Sequence, residues 1–182
     1  MLFNIGYKEA LRLHDFQCFV FHDVDLLLED DRNYYGCALN PRHLSVAVDK
    51  FGYRLPYFTI CGGVVSFTKE QFEKINGYSN VYWGWGGEDD DLYQRIRAAK
   101  YTLSRPMIEL GCYTMLNVGH KSAPKDPKRH KKLQSSAKRM TTDGLNSLQY
   151  DVIKSIKTAE YQLYTNITVN IGALTKRPKY TR

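Results

Sequence analysis

The sequence has no apolar run approaching the roughly 18 residues that span a bilayer, and its first residues, MLFNIGYKEALRLHD, lack the apolar stretch of a signal peptide. Nothing in these residues reads as an anchor or a leader. Proline (6) and glycine (13) are too sparse in 182 residues for a collagen-like or low-complexity chain. Of the four cysteines (18, 37, 61, 112), no two have the two-residue separation of a zinc or redox motif, and the haem-attachment pattern is absent. Two disulfides, one, or none all stay open on composition. Acids are short relative to bases, 19 against 26, giving a net charge of +7. That excess sits in one place: eight Lys/Arg between Lys121 and Arg139 face the single Asp126, and the rest of the chain balances. A basic face spread over the fold, as a nucleic-acid module requires, is not indicated. The segment reads as a solvated basic helix or loop, or as a contact for phosphate or anionic glycans. What is present, 43% hydrophobic and 25% charged residues, suits one folded domain with a real core.

Apolar positions between residues 2 and 13 predict an amphipathic helix, and Gln17 to Phe21 (QCFVF) a short buried strand. Strands are also expected at His43 to Val48, Val64 to Phe67, Ile108 to Met115 and Tyr161 to Ile171. Thr68 and Gln71 form a capping-box pair for a helix through Ile75, closed by Asn76-Gly77. Glu88 to Lys100 opens with four acids and ends with Arg95, Arg97 and Lys100, the charge order that the helix dipole favours. The stretch from Lys121 to Thr142 reads as a long mobile basic connection with helical pieces. The expected class is α/β.

Two motifs carry chemistry. Phe21-His22-Asp23-Val24-Asp25 places two carboxylates one residue apart at the end of an apolar strand, where one can meet a hard cation and the other a ligand's hydroxyls or its own turn amides. A self-capping turn is the plainer reading. Tyr82-Trp83-Gly84-Trp85-Gly86-Gly87-Glu88-Asp89-Asp90-Asp91 sets indoles and glycines before four consecutive acids. Glycines let backbone approach a ligand, aromatic faces suit sugar C–H surfaces, and the acids offer a base and hydroxyl acceptors. Repulsion among four partly buried carboxylates should raise at least one pKa.

With Phe21 to Asp25, Asp49 to Tyr57 (DKFGYRLPY), Asn76-Gly77-Tyr78, the WGWGGEDDD block and Asp143-Gly-Leu-Asn-Ser-Leu, the chain resembles the catalytic domain of the β-1,4-galactosyltransferase family (glycosyltransferase family 7) from about Leu2 to Gly172. The resemblance implies one incomplete GT-A type domain over residues 1–182, with a Rossmann-like mixed sheet lacking its first strands. It implies an inverting, Mn²⁺-dependent transfer from a UDP-sugar to O4 of a terminal β-GlcNAc acceptor in the Golgi lumen. Members also carry an N-terminal tail, membrane anchor and stem, which the resemblance leads one to expect missing from these residues.

By the same resemblance Asp25, Met115 and His120 hold Mn²⁺; the family spaces its Met and His three residues apart, whereas here they are five apart. Asp23, Val24, Trp85, Gly86 and Ile60 would meet the donor. Asp89 would be the general base, with Glu88 and Asp90 on donor and acceptor hydroxyls. Tyr57 and Tyr82 would face the sugars, and Arg129, His130 and Leu133 would form the acceptor's N-acetyl pocket, where His130 replaces an apolar aromatic of well-known members. At Ile60, galactose-using vertebrate members carry a Tyr, and the shorter side chain is the pattern of invertebrate N-acetylgalactosaminyltransferases, so UDP-GalNAc is favoured over UDP-Gal. The resemblance also pairs Cys18 with Cys37. Rival readings are a UDP-Gal-using enzyme, an inactive glycan-binding fragment, and an interaction protein that uses the basic run on anionic glycans.

Overall fold

The structure, a computed structural model, describes residues 1–116, 124–157 and 164–172. Helix α1 (Leu2–Leu13) leads into strand β1 (Cys18–His22), and the chain turns at Asp23 to Asp25 into β2 (Leu26–Leu28). Strands β3 (Arg42–His43), β4 (Ala47–Val48) and β5 (Val64–Thr68) follow, then helices α2 (Lys69–Lys74) and α3 (Glu88–Ala98) and strand β6 (Cys112–Met115). Two short helices, α4 (Arg129–Gln134) and α5 (Ser136–Arg139), precede the hairpin of β7 (Asp151–Lys157) and β8 (Thr165–Asn170).

Among the described residues the strands form three small sheets rather than one continuous sheet. The order β1-β5-β3 is antiparallel throughout, β2-β6-β4 is mixed because β4 runs parallel to β6, and β7 pairs with β8. The single strand expected over His43 to Val48 is divided between two sheets. Residues 43 to 48 are buried without interruption, so the segment passes through the interior: Leu44 N–H bonds to the Val64 carbonyl at 2.8 Å and Ala47 N–H to Gly111 at 3.0 Å. The strand expected from Ile108 begins only at Cys112, because Gly111 N–H closes a turn on the Met107 and Ile108 carbonyls. Strand β7 was not anticipated; its register shift between Val152 and Lys154 breaks the period-two pattern. Of the strand expected over 161–171, residues 161–163 lie outside the described residues.

Helix α1 packs Tyr7, with Phe3, Ala10 and Leu11 beside it, against an aromatic core of Phe19, Phe21, Phe67, Phe72 and Tyr78, with ring centroids 4.5 Å apart for both Tyr7–Phe19 and Phe21–Phe72. Edge and tilted ring packing of this kind adds to the burial itself. The Thr68–Gln71 capping box is present in both directions, at 3.1 and 2.9 Å. Helix α2 stops at Asn76 and Gly77, both at positive φ, and a Cβ at Gly77 would stand 2.5 Å from Asn4 Oδ1.

Cys18 and Cys37 are joined, with Cα atoms 5.7 Å apart and a sequence separation of 19. This bond ties the start of β1 to the loop that follows β2. Reduction is expected to cost about 3 kcal/mol in the chain-entropy account, read as a lower urea midpoint with thiol reductant than without. Cys61 and Cys112 are free thiols. No helix among the described residues is long and apolar enough to cross a membrane.

Candidate functional site

The acidic turn after β1 is fixed on three sides. Asp23 N–H bonds to the Gly63 carbonyl at 3.0 Å, Leu26 N–H returns to the Asp23 carbonyl at 3.2 Å, and Leu116 N–H reaches the Asp25 carbonyl at 2.7 Å. Because Leu26 pairs with Met115, Asp25 and Met115 are brought to neighbouring positions at the end of the β2–β6 ladder. Behind the turn runs a directed relay: Asn33 Nδ2 donates to the Tyr113 hydroxyl, Tyr113 O–H to Tyr35, and Tyr35 O–H to His22 Nε2, leaving His22 Nδ1–H for the Asp23 carbonyl at 2.7 Å. Val24 at the apex is 93% exposed.

Gly84, Gly86 and Gly87 all have positive φ, near 95°, which lets the Trp83–Gly87 loop fold back before α3 begins. Trp85 is 56% exposed; its backbone N–H donates to the Pro124 carbonyl at 3.1 Å, and Lys125 Nζ lies 5.3 Å from its ring centroid. The four acids of α3 then separate by helical spacing. Asp90 accepts the Tyr57 hydroxyl at 3.1 Å. Asp89 packs on Gly62 so closely that a Cβ there would be 2.2 Å from Oδ2. Burial, then the charges of Glu88, Asp23 and Asp90, push the Asp89 carboxyl up to about 8, the raised acid expected from the motif. Asp23 is raised to about 6, chiefly by burial and then by Asp25.

Asp91 takes a different part. It is wholly buried and bonds to Arg95 Nε at 2.6 Å, Arg139 Nη2 at 2.6 Å and the Tyr82 hydroxyl at 2.9 Å. Arg95, 0% exposed, also donates to the Gly77 carbonyl at 3.2 Å and the Asp143 carbonyl at 2.7 Å, and Arg139 pairs with Asp143. The basic segment is therefore less solvated than its composition implies: Arg139 and Lys132, the latter paired with Asp126, are committed inward. The sequence reading missed this network, although Asp91–Arg95 and Arg139–Asp143 both stand at i,i+4, the helix ion-pair spacing that could have shown it.

Two cavities meet at Glu88 and Asp89. One, of about 160 Å³, is lined by Tyr57, Trp85, Gly86, Asp90, Arg129, His130 and Leu133 as well as those two acids. The other, of about 630 Å³, is lined by His22, Asp23, Val24, Asp25, Tyr78, Tyr82 and Trp83 with the same acids. Tyr82, expected beside the acceptor residues, falls in the larger cavity, and Trp85 and Gly86, expected over the donor, line the smaller one. Ile60 lines neither, and His120 lies outside the described residues.

The larger cavity suits a divalent cation on its carboxylate side. Asp23 is raised by burial beside Asp25, and Glu88 Oε2 is buried with no hydrogen-bond partner among the described residues, so negative charge converges there for a hard ion to offset. Met115 is a soft donor that fits such an ion only through imposed geometry. Among the described residues no group of three His, Cys, Asp or Glu side chains stands ready to hold a metal.

Family models match twice in succession, the N-terminal region of glycosyl transferase group 7 over residues 1–38 and the N-terminal domain of galactosyltransferase over 42–121. The chain is 47% identical over 172 residues to β-1,4-galactosyltransferase 5 of Danio rerio, covering 94% of itself and 44% of that protein. It thus spans less than half the length of this curated relative. Among solved structures, the catalytic domain of Drosophila β-1,4-galactosyltransferase 7 with xylobiose superposes with a TM-score of 0.75 at 28% identity, covering 92% of this chain and 72% of that one. A mutant of the same enzyme, solved with manganese, UDP-Gal and xylobiose, gives 0.64 at 26% identity with the same coverage. The fold is the GT-A type expected from the sequence.

Proposed function

The chain belongs to the β-1,4-galactosyltransferase family, glycosyltransferase family 7, and from that premise we propose that it moves GalNAc, or galactose, from a UDP-sugar to O4 of a terminal β-GlcNAc with inversion. The observation that carries this reading is the shared wall: Glu88 and Asp89 belong at once to the acidic cavity and to the small cavity of Tyr57, Arg129, His130 and Leu133. A group transferred from one side to the other has to pass those two carboxylates.

In the proposed reaction the Asp89 carboxylate takes the proton from acceptor O4 while O4 attacks C1 of the donor sugar, and the bond from C1 to the diphosphate oxygen breaks with its electron pair leaving on UDP. Glu88 and Asp90 accept hydroxyls of donor and acceptor, and Tyr57, held by Asp90, offers its ring to the sugar face. Asp23 and Val24, which line the larger cavity, would meet the donor's ribose or sugar, with Tyr82 on the same cavity and Trp85 on the smaller one. When bound, Mn²⁺ supplies charge neutralisation for the departing diphosphate, and Asp25, Met115 and His120 are the residues that would hold it. The family's work place, the Golgi lumen, agrees with the Cys18–Cys37 disulfide.

GalNAc is favoured on the family pattern alone, in which the short, apolar Ile60 stands where galactose-using members carry a Tyr, although Ile60 lines neither cavity here; the galactosyltransferase names of the relatives favour galactose. The test is transfer by the 182-residue chain to a β-linked GlcNAc acceptor, with UDP-GalNAc and UDP-Gal compared and with Mn²⁺ or chelator. Mn²⁺-dependent transfer preferring GalNAc is expected. Ile60→Tyr should lower the GalNAc-to-Gal ratio of kcat/KM by about tenfold, the scale of a steric change in a pocket. Failure of a folded sample to transfer either sugar would overturn the reading, and an unchanged ratio in Ile60→Tyr would remove the role given to Ile60.

A further inference from the structure

Behind residues 58–62, outside both cavities, stands a polar column that is buried at His43 and Ser45 and half-buried at Arg105. Arg105 Nε–H donates to His43 Nδ1 at 3.2 Å, and Arg105 Nη2 donates to the carbonyls of Phe58 and Ile60 at 2.8 and 3.0 Å. Accepting at Nδ1 leaves the His43 proton on Nε2, which donates to the Gly62 carbonyl at 2.9 Å. His43 is 1% exposed, and burial with the nearby Arg105 charge holds its pKa down to about 4, so it is the neutral ring that this pattern requires. Ser45 Oγ–H donates to the same Gly62 carbonyl at 3.2 Å and accepts Val64 N–H at 2.8 Å. The segment lies outside the strands and helices, yet its carbonyls at 58, 60 and 62 are all tied to one column.

The opposite side of that segment faces the acids. Asp89 rests on Gly62, and Gly63 accepts the backbone amide of Asp23 at 3.0 Å. We infer that Arg105 and His43 are positioning residues: their column sets where Gly62 and Gly63 stand, and through them where the Asp89 and Asp23 carboxylates meet the cavities and how far Ile60 stands from Asp89. The consequence for catalysis rests on the proposed transfer reaction; the placement of the segment does not. A lysine at 105 is a point charge on a flexible stem and cannot span a ring nitrogen and two carbonyls as a guanidinium does.

The experiment compares amide hydrogen exchange in the 182-residue chain and in Arg105→Lys. The amides of Ile60, Val64 and Asp23 should exchange about tenfold faster or more, as for loss of a charge-assisted hydrogen bond, while Phe19 and Phe67 in the β1–β5 ladder keep their rates. In the transfer assay kcat/KM should fall about tenfold, with the GalNAc-to-Gal ratio moving toward one. Ser45→Ala removes the acceptor of Val64 N–H itself, so Val64 should speed directly while Ile60 and Asp23 change less than in Arg105→Lys, and the Ile60 and Asp23 rates carry the test if Arg105→Lys does not fold. Unchanged exchange at the three amides, or uniform acceleration through β1 and β5, would overturn the inference. If the unaltered chain transfers no sugar, the proposed function fails while the exchange pattern still decides the column's role.

Discussion

Asp89→Asn is expected to keep its fold and its affinity for the UDP-sugar while losing sugar transfer by about a thousandfold, within the range that a general base supplies. The replacement keeps the shape that lies against Gly62 and removes only the ability to take a proton. The unaltered chain should show kcat/KM rising with pH and levelling above about 8, because the carboxyl must be ionised to act and its pKa is pushed up to about 8. Stability runs the other way. A carboxyl whose folded pKa lies above its unfolded value of 3.8 binds its proton more tightly in the fold, so the stability it contributes is fully present below about pH 4 and is lost as pH rises through 8. Asp89→Asn removes that loss together with the repulsion from Glu88, Asp23 and Asp90. Its thermal midpoint at pH 8 should equal or exceed that of the unaltered chain. A variant that transferred sugar at more than a tenth of the normal rate would exclude Asp89 as the base.

The largest loss of stability is expected from Arg95→Met, about 3 to 5 kcal/mol, the cost of leaving buried charges without their partner. Arg95 links four points: the Asp91 carboxylate, the carbonyls of Gly77 and Asp143, and the Asp143 carboxylate. Methionine fills much of the volume but leaves all of them short of a donor. Against a domain stability of roughly 5 to 15 kcal/mol, a urea midpoint should reveal the change without ambiguity. Arg95→Met with Asp91→Leu should recover only part, because Arg139 and the Tyr82 hydroxyl then lose the Asp91 carboxylate as well. Full recovery would mean that Asp91 and Arg95 act as an isolated pair.

The sequence disclosed most where local chemistry decides local structure. Thr68 and Gln71 announce their helix because a cap is satisfied within one turn, and the acids of α3 announce theirs because the dipole favours them there. Glu88, Asp89 and Asp90 were legible as a cluster for the same reason, and Tyr57, Arg129, His130 and Leu133 joined them only through family likeness. What stayed hidden depends on pairing across the chain. Nothing near His43 reveals that its ring will meet Arg105, or that the run to Val48 will cross from one sheet to another. Strand β7 was concealed by its own irregular register. Asp91 was grouped with its three neighbours by composition, although its helical position turns it inward to Arg95.

The ion network around Asp91 also predicts an order of assembly. Arg139 and Asp143 stand 48 residues beyond the groups they bind on α3, so a nascent chain whose synthesis has reached the end of α3 carries Asp91 and Arg95 with half their partners still unmade. Until that later stretch is made and packs down, two opposite charges bound for a dry interior have each other and water. The acid-bearing end of α3 is expected to settle later than the Phe19, Phe21, Phe67 and Phe72 packing of β1, β5 and α2, although Leu92 and Ile96 of α3 complete the same core. Translation pauses or breaks between residues 98 and 139 should therefore yield a species with a formed core and an unsettled acidic end, a form that quality control in the cell would meet first.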